Sequence, residues 1–239
     1  MALFAISDLH LALGVNKPMD MFGGNWANYM SRIKEEWEKT VTDSDCVIIP
    51  GDISWATYLE QSYEDFKFIN ALPGEKIILK GNHDYWWTTL RKLDVFMQEN
   101  NFISVNFLHN NCYEVENAVI CGTRGWKCPG DEDFGEEDNK IFRRELQRLE
   151  LSLKCAARVS GGITAKKIVV AMHYMPFNNR KEPSDFVEIM KKYDVKMCLY
   201  GHLHGEGIRN AVEGVINGIG YRLVSADYLD FRPLKLDVA

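Results

Sequence analysis

Long apolar runs are scarce in this sequence of 239 residues. No stretch approaches the ~18 to 20 consecutive apolar residues that a helix needs to cross a bilayer. The first apolar run, at residues 2–6, meets Asp8 before it reaches the length of a signal-peptide core. We therefore expect no membrane association and predict a cytoplasmic protein.

Cysteine pairs with the spacing of redox or zinc motifs are also missing. None of the six cysteines forms a C-x-x-C pair, and Cys46, Cys121 and Cys198 lie within apolar runs, where a thiol behaves as a small hydrophobic side chain. A chain of this length buries enough surface to fold without disulfides. We predict that all six cysteines are reduced core residues. A redox role for Cys121 and Cys128 is the alternative.

Basic residues are outnumbered by acidic ones, with 28 Lys and Arg against 34 Asp and Glu and a formal net charge of −6. Non-specific binding to nucleic acid depends mostly on basic surface, and the sequence contains no basic tract. The composition therefore argues against a partner that is a long nucleic acid. It places no such limit on small anionic substrates, because bound divalent ions would reverse the charge of an acidic site.

Internal repeats, low-complexity tracts and linkers rich in Pro, Gly and Ser are absent as well. We therefore predict a single domain over residues 1–239.

Five short apolar runs, rich in β-branched residues, are typical of buried parallel strands. They lie at residues 3–6, 46–49, 76–79, 168–172 and 196–200. Apolar residues at helical spacing predict helices between them. These candidate helices lie near residues 26–37, 58–70, 88–100, 142–153 and 184–193. The alternation predicts an α/β fold with a mainly parallel sheet and helices on its faces.

The residue pattern changes after His204. Glycines occur frequently there, and short apolar runs lie at residues 221–225 and 234–238. Such a pattern predicts antiparallel strands and turns. We expect these strands to complete a second sheet.

Side chains that can bind metals follow directly after each of the five runs. They are Asp8 and His10, Asp52, the block 81–84 (Gly-Asn-His-Asp), His173, and His202 and His204. The carboxyl ends of parallel strands share one edge of a sheet, so these side chains should converge there. Residues two apart on an extended segment point to the same side, which lets Asp8 and His10 bind one ion together.

The mixture of oxygen and imidazole ligands suits Zn, Mn, Fe or Co. Two ions need a shared ligand. Asp52 is the natural bridging carboxylate, because the preceding Gly51 lets the backbone turn tightly.

Together these blocks resemble the signature of the calcineurin-like metallophosphoesterases, with all five in the family's order. The blocks are Asp8-x-His10, Gly51-Asp52, Gly81-Asn82-His83-Asp84, His173 and Gly201-His202-x-His204. The resemblance implies a four-layer α-β-β-α sandwich, with two mixed sheets flanked by helices and a dinuclear metal centre at the strand ends. It also implies a metal-dependent phosphohydrolase, in which a hydroxide bridging the two ions attacks a phosphomonoester or phosphodiester.

The resemblance also implies a role for each residue of the blocks. One divalent ion would be held by Asp8, His10, Asp52 and His204, and the other by Asp52, Asn82, His173 and His202. His83 would face the substrate and either stabilise phosphoryl charge or protonate the leaving oxygen. Asp84 would orient His83; the alternative for Asp84 is an ordinary turn residue.

Residues outside the metal-binding positions suggest less about the substrate. Arg124 follows another apolar run and is a candidate ligand for phosphate, although an ordinary surface arginine fits the pattern equally well. Trp55, Tyr85 and Trp126 lie near the blocks, where aromatic faces can stack on a nucleobase. Trp86 and Trp87 are instead expected to anchor the following helix in the core.

Two further features leave their roles open. The acidic segment 131–138 is either a solvated loop whose last acids complement the dipole of the next helix, or part of a lid near the metals. His109 lies outside every block and is expected to be a surface or loop residue.

The competing function is a metal-poor interaction scaffold, because a fold does not guarantee activity. Every proposed ligand position carries a competent side chain, and this favours an enzyme that acts on a small phosphoester. The sequence leaves open the substrate, the native metal and the oligomeric state.

Overall fold

The structure is a computed structural model that describes residues 1–17, 19, 24–159 and 166–237. Within these ranges the chain forms eleven strands and five α-helices, and the predicted α/β class is confirmed. In the same ranges no helix has the length and apolar composition that a membrane span requires.

The first sheet holds the strands of the amino-terminal half. Its members are β1 (Leu3–Ala5), β2 (Cys46–Ile49), β3 (Glu75–Ile78), β4 (Val105–Phe107) and β11 (Leu234–Lys235). The order across the sheet is β11-β1-β2-β3-β4, and the four strands β1 to β4 are parallel. β11 pairs with β1 in the antiparallel direction.

The second sheet has the order β5-β6-β7-β8-β10-β9. Its members are β5 (Tyr113–Val115), β6 (Ala118–Thr123), β7 (Lys167–Met172), β8 (Met197–Tyr200), β9 (Gly214–Ile216) and β10 (Ile219–Leu223). The central strands β6, β7, β8 and β10 are parallel, and the edge strands β5 and β9 are antiparallel to their neighbours.

The helices cover the outer faces of the two sheets. They are α1 (Tyr29–Thr40), α2 (Tyr63–Ala71), α3 (Leu90–Glu99), α4 (Glu136–Val159) and α5 (Asp185–Lys192). Ile33 and Trp37 of α1 belong to one buried cluster with Val47 of the first sheet, and Leu149 of α4 belongs to another with Val170 of the second. The helical spacing of these apolar residues is therefore the signal that places them on the sheets.

A third apolar cluster lies between the sheets. It joins Ala5 and Ile48 of the first sheet to Ala171 and Leu199 of the second, and all four are buried. Side chains alternate along a strand, so each strand supplies one row to this inner layer and one to the helices. The order helix, sheet, sheet, helix confirms the expected four-layer arrangement with two mixed sheets.

The end of the chain departs from the expected arrangement. β10 pairs with β8 in the parallel direction, and β11 joins the first sheet beside β1 instead of completing the second. The prediction of antiparallel strands that finish the second sheet therefore holds only for β9 against β10. Local sequence signals a turn between β9 and β10, but it carries no information on which distant edge β11 meets. Val238 of the predicted run lies outside the described residues.

The cysteine prediction is wrong for one pair. Cys112, which precedes β5, and Cys155 of α4 form a disulfide, with their Cα atoms 5.9 Å apart. Cys46, Cys121, Cys128 and Cys198 are free and buried, as expected. Burial raises the pKa of Cys121 and of Cys128 to about 12, which opposes formation of the reactive thiolate. The redox alternative for that pair therefore gains no support.

We predict that the unreduced, denatured protein exposes four reactive thiols, whereas the reduced protein exposes six. Closing a loop between residues 43 positions apart restricts the unfolded chain. The double change of Cys112 and Cys155 to serine should therefore lower the stability by about 2 to 4 kcal/mol. Counting thiols with a chromogenic reagent and measuring denaturant unfolding test both statements. Six thiols before reduction would contradict the disulfide.

Candidate metal centre

The predicted metal-binding residues lie at the carboxyl ends of β1, β2, β3, β7 and β8, on one edge shared by both sheets. Backbone hydrogen bonds tie the first two loops together, from Asp8 N to Gly51 O at 2.9 Å and from His10 N to Asp52 O at 3.0 Å. The second sheet meets them through His202, whose backbone N–H donates to the Asp8 carboxylate at 3.0 Å. The sandwich therefore brings residues from distant parts of the sequence to one place.

Four of the candidate ligands have a backbone conformation that residues other than glycine rarely adopt. The φ angles are 59° for Asp8, 46° for His10, 52° for Asp52 and 70° for His202. Such left-handed conformations are strained and concentrate at functional sites, where the surrounding structure holds them. The sharp turns direct these side chains into the space between the loops.

Glycines make room for the carboxylates. A Cβ atom at Gly81 would lie 2.1 Å from Asp52 Oδ1, and one at Gly201 would lie 2.2 Å from Asp8 Oδ2. Neither position has space for a side chain. The glycines in the blocks 81–84 and 201–204 are thus required by the close approach of neighbouring loops.

The first group of possible ligands consists of Asp8, His10 and His204, whose ligand atoms all lie within 4.8 Å of one another. His204 Nε2 lies 3.1 Å from Asp8 Oδ1. Asp8 and His10 are almost completely buried. These three residues belong to one predicted ion site, and the fold brings them together.

The second group consists of Asp8, Asp52 and His173, which meet the same distance limit. Asp52 Oδ2 lies 3.5 Å from His173 Nε2 and 3.8 Å from His10 Nε2. One carboxylate oxygen thus faces an imidazole of each predicted ion site. This position is compatible with the predicted bridging role of Asp52, although the residue that belongs to both groups is Asp8.

The remaining predicted ligands border the second group. Asn82 Oδ1 lies 2.7 Å from His173 Nε2, and the ring of His202 lies 5.1 Å from the ring of His173. His173 Nδ1 lies 2.9 Å from the carbonyl oxygen of Pro50, which leaves Nε2 as the nitrogen directed at Asn82 and Asp52. All seven predicted ligands therefore surround one small volume.

Burial and mutual repulsion set the protonation of these groups. Burial raises the pKa of Asp52 well above its usual value, and the charges of Asp8 and Asp84 raise it further. Burial also lowers the pKa of His10 and of His173 to about 3, so both imidazoles are neutral at pH 7. Neutral imidazoles have the free lone pair that a metal ion needs.

His204 and Asp8 respond in opposite directions. Burial lowers the pKa of His204, but contacts with Asp8 and Asp227 outweigh it and raise the pKa to about 10. Burial would raise the pKa of Asp8, but His204, His173 and His10 together bring it below its usual range. His204 is therefore protonated at pH 7 in the metal-free protein, and its positive charge lies where the first group could hold a cation.

The chemistry of this donor set fits divalent metal ions. Asp8 and Asp52 are buried carboxylates, and in the described part of the chain their ion pairs are all with histidines. His204 balances the charge of Asp8, whereas the histidines beside Asp52 are neutral at pH 7. Burying a carboxylate without a charged partner is costly. In addition, His10 Nδ1 is buried and has no hydrogen-bond partner within the described ranges. A pair of cations would compensate both carboxylates.

A family model decides the classification. The model for calcineurin-like phosphoesterases matches residues 1–206. The chain belongs to the calcineurin-like phosphoesterase family. Members of this family bind divalent metals, so family and ligand groups together indicate a metal-dependent phosphoesterase. A comparison with curated protein sequences gives no significant match.

Solved structures share the fold of this phosphoesterase. A protein of unknown function, AQ665 from Aquifex aeolicus, is 16% identical with a TM-score of 0.51, and the match covers 98% of this chain and 95% of that one. The phosphopantetheinyl hydrolase PptH from Mycobacterium tuberculosis is 13% identical with a TM-score of 0.55 and the same coverage. TT1561 of Thermus thermophilus is 10% identical with a TM-score of 0.56, over 99% and 98% of the chains.

His83 lies beside the predicted metal ligands of this phosphoesterase, but its surroundings differ from theirs. Its backbone N–H donates to Asp52 Oδ1 at 2.8 Å, while its ring packs against Trp55 with the ring centroids 4.5 Å apart. His83 and His10 line a cleft of about 590 Å³ that opens to solvent. The imidazole of His83 is therefore placed to meet a molecule in the cleft.

Asp84 has a different position from the expected one. Its carboxylate accepts hydrogen bonds from the backbone N–H groups of Asp52, Ile53 and Gly81, and from Nε1 of Trp86. Within the described ranges it makes no hydrogen bond to the His83 ring. Asp84 therefore holds the backbone of two site loops and influences His83 only through them.

The tryptophans of the phosphoesterase site fall into two groups. Trp86 is buried and packs on Phe66 with the ring centroids 5.0 Å apart, as expected of a core anchor. Trp55 and Trp26 line the cleft, where Trp55 stacks on His10 with centroids 4.9 Å apart. Tyr85 is exposed. Aromatic surface in the cleft thus comes from Trp26 and Trp55.

Arg124 is not the ordinary surface residue that the sequence also allowed. Its side chain is mostly buried, lies 3.7 Å from Glu145, and packs over the ring of Trp126. Its carbonyl oxygen accepts hydrogen bonds from the backbone N–H groups of His173 and Tyr174. Arg124 therefore flanks the loop of one predicted metal ligand.

The acidic segment 131–138 supplies the first turn of α4. Asp138 accepts hydrogen bonds from the backbone of Gly135 and from Nε1 of Trp126. Asp131 and Asp133 line a second cleft together with His202. This placement agrees with the interpretation of segment 131–138 as the start of a helix. The second cleft also places part of the segment next to His202, a predicted metal ligand.

Some supporting residues escaped the sequence reasoning. Asp227 lies 2.8 Å from His204 Nδ1, and Ser225 donates to Asp8 Oδ2 at 3.2 Å. The hydroxyl of Ser7 also donates to Asp8. A signal was present for the first two, because Ser225 ends the predicted run at residues 221–225 and Asp227 follows it, just after β10. Polar residues after that run orient the ligands in the same way as residues after the other strands.

Proposed function

We propose that the protein hydrolyses small phosphomonoesters or phosphodiesters with two divalent transition-metal ions. The observation that carries this proposal is the position of Asp52 Oδ2, which faces His10 of one ligand group and His173 of the other. Mn, Fe, Zn and Co all accept such a mixture of carboxylate and imidazole ligands.

In this proposal the ligands divide between the two ions as the family resemblance implies. Asp8, His10, Asp52 and His204 would hold one ion, and Asp52, Asn82, His173 and His202 the other. Two ions bound there would supply Lewis acidity for the phosphate oxygens and lower the pKa of water. Asp227, through its contact with His204, fixes the orientation of that ring.

His83 acts on the substrate in this proposal. Burial lowers its pKa, so the ring is neutral in the free protein at pH 7. A phosphoester in the cleft brings negative charge next to the ring, which favours the protonated form. The protonated ring can then stabilise charge on the phosphoryl group or donate its proton to the leaving oxygen. Its Nδ1 is buried without a hydrogen-bond partner in the ranges that the structure describes.

Arg124 is proposed as a substrate-binding residue at the same edge of the sheets. Glu145 and Trp126 hold its guanidinium in place, so little side-chain freedom remains to be lost when a phosphate binds. Its connection to the loop of His173 places it beside the second predicted ion site.

We predict that small phosphoesters are hydrolysed far better than long DNA or RNA. The net charge of −6 and the lack of a basic tract give a polyanion little to bind. The test is a panel that compares an aryl phosphomonoester, the matching bis-aryl diester, cyclic nucleotides and long nucleic acid, with Mn, Zn, Co and Fe added singly.

Activity on a small ester with one of these metals supports the proposal. Efficient cleavage of long nucleic acid together with little activity on every small ester would contradict the substrate preference. Failure of every metal and every substrate would instead favour the interaction scaffold.

A further inference from the structure

A small cavity lined by basic side chains lies beside the proposed metal centre. Lys80, His109, Arg124 and Arg148 line it, together with the single acid Glu145. Lys80 directly precedes the loop of Asn82. None of these basic residues is among the predicted metal ligands.

The cavity has an excess of positive charge. Glu145 is fully buried, and its Oε1 lies 2.7 Å from Arg148 and 3.7 Å from Arg124. Its Oε2 accepts a hydrogen bond from the Thr123 hydroxyl at 2.6 Å. One carboxylate thus forms ion pairs with both arginines, whereas Lys80 forms no ion pair within the described ranges. Asp84 also acts on the charge of Lys80, and the backbone N–H groups around Asp84 donate to its oxygens.

One donor group of a cavity-lining side chain remains unused. Arg124 Nε is buried and has no hydrogen-bond partner in the part of the chain that the structure describes. Burial lowers the pKa of His109, and the nearby positive charges of Arg148 and Lys80 lower it further, against the opposing charge of Glu145. Unpaired buried donors and uncompensated charge are both costly, and an anion would relieve both.

The size of the cavity limits what can enter it. The space open to the centre of a water-sized sphere is about 20 Å³. A single water molecule needs about 10 to 15 Å³ of such space, so the cavity admits one or two oxygens of a larger group from its opening and excludes a nucleoside. Guanidinium groups match the oxygens of phosphate with two parallel hydrogen bonds. A phosphate group therefore matches the charge, with its oxygens directed into the cavity and the rest of the group at the opening.

We propose that this cavity binds a phosphate group that is separate from the one at the metal centre. The group is either a second phosphate on the substrate or free inorganic phosphate. The first source rests on the proposed phosphohydrolase function, because it requires one molecule to reach both places. The second source does not depend on it.

Inorganic phosphate binding to manganese-reconstituted protein tests the cavity directly by calorimetry. Arg148→Gln removes a charged donor of the cavity, and we expect it to bind one phosphate fewer per chain than the wild type, or to bind that phosphate about 10- to 100-fold more weakly. Lys80→Met should have the same effect. Arg144→Gln is the matched control, because Arg144 contacts Glu145 at 3.8 Å without lining the cavity.

The difference between the variants isolates the cavity, because phosphate bound at the metal centre contributes equally to each of them. If the metal centre binds no phosphate, the same difference of one site remains. Equal phosphate binding by the wild type, Arg148→Gln and Arg144→Gln would overturn the proposal. So would a loss that appears equally in Arg144→Gln, since it would show only a general effect of weakening Glu145.

Kinetics then distinguish the two sources of phosphate. The substrates are two compounds with the same scissile ester, one of which carries a second phosphate. A KM that rises about tenfold or more in Arg148→Gln for the bisphosphate alone, with kcat unchanged, identifies the substrate as the source. An unchanged KM for both compounds, combined with the lost binding site, identifies free phosphate.

Discussion

Replacing Asp52 with alanine is expected to remove both metal ions at once and to abolish phosphoester hydrolysis. Asp52 Oδ2 faces both His10 and His173, so the two proposed ion sites lose a ligand together. The metal content of the reconstituted protein should fall from about two equivalents per chain to near zero. Metal analysis after reconstitution with manganese measures this change directly.

His10→Ala is the matched control for the bridging role. His10 faces only one of the two groups, so its loss should weaken chiefly one ion and leave about one equivalent bound. If Asp52→Ala kept one ion as firmly as His10→Ala does, Asp52 would not bridge. A wild-type content of one or zero after reconstitution would exclude the dinuclear centre altogether.

The folding of the Asp52 variant can be checked independently. Burial and the charge of Asp8 raise the pKa of Asp52, so its ionised form is unfavourable in the metal-free fold. An acid whose pKa is raised by folding destabilises the folded state at any pH above its pKa in the unfolded chain, and pH 7 lies in that range. Metal-free Asp52→Ala should therefore melt at a temperature no lower than that of the metal-free wild type. A large drop would mean that the variant loses its metals through misfolding.

The second large effect is expected from His83→Ala, which should keep the metals and lose turnover. The ring of His83 lines the cleft, whereas the neighbouring Asn82 directs its side-chain oxygen to His173. We expect kcat to fall about 10²- to 10⁴-fold for an ester with a poor alkoxide leaving group. Asn82→Ala should instead reduce metal occupancy.

The leaving group separates the two proposed roles of His83. If the ring mainly donates a proton, the loss should be much smaller for a nitrophenyl ester, because nitrophenolate leaves without help. Similar losses for both esters would indicate charge stabilisation. The assignment to the substrate would be wrong if His83→Ala lost metal as completely as Asn82→Ala, or if turnover of every active substrate were unchanged.

The elements that define the sheets were predictable because their signals are local. The apolar run at residues 46–49 coincides with β2, and the run at 168–172 lies within β7. Metal-binding residues were found for the same reason, since each follows its own strand directly. The sequence also predicts their convergence, because parallel strands end at a common edge.

Other features could not be read from local patterns because they depend on which distant segments meet. The pairing of β11 with β1, the disulfide between Cys112 and Cys155, and the cavity around Glu145 all join parts of the chain far apart in sequence. Asp84 is an instructive case. The resemblance assigned it to His83, but its carboxylate binds the backbone at Gly81, Asp52 and Ile53.

The two sheets contribute ligands from distant parts of the chain, and this has a consequence for biosynthesis. Asp8 leaves the ribosome before His204, which follows only after nearly 200 further residues. At translation rates of about 5 to 20 residues per second, this interval lasts roughly 10 to 40 s. Neither ligand group is complete without a histidine from the later half. We therefore expect metal capture to follow synthesis, so that the cell's metal supply at that moment determines which ions the finished protein holds.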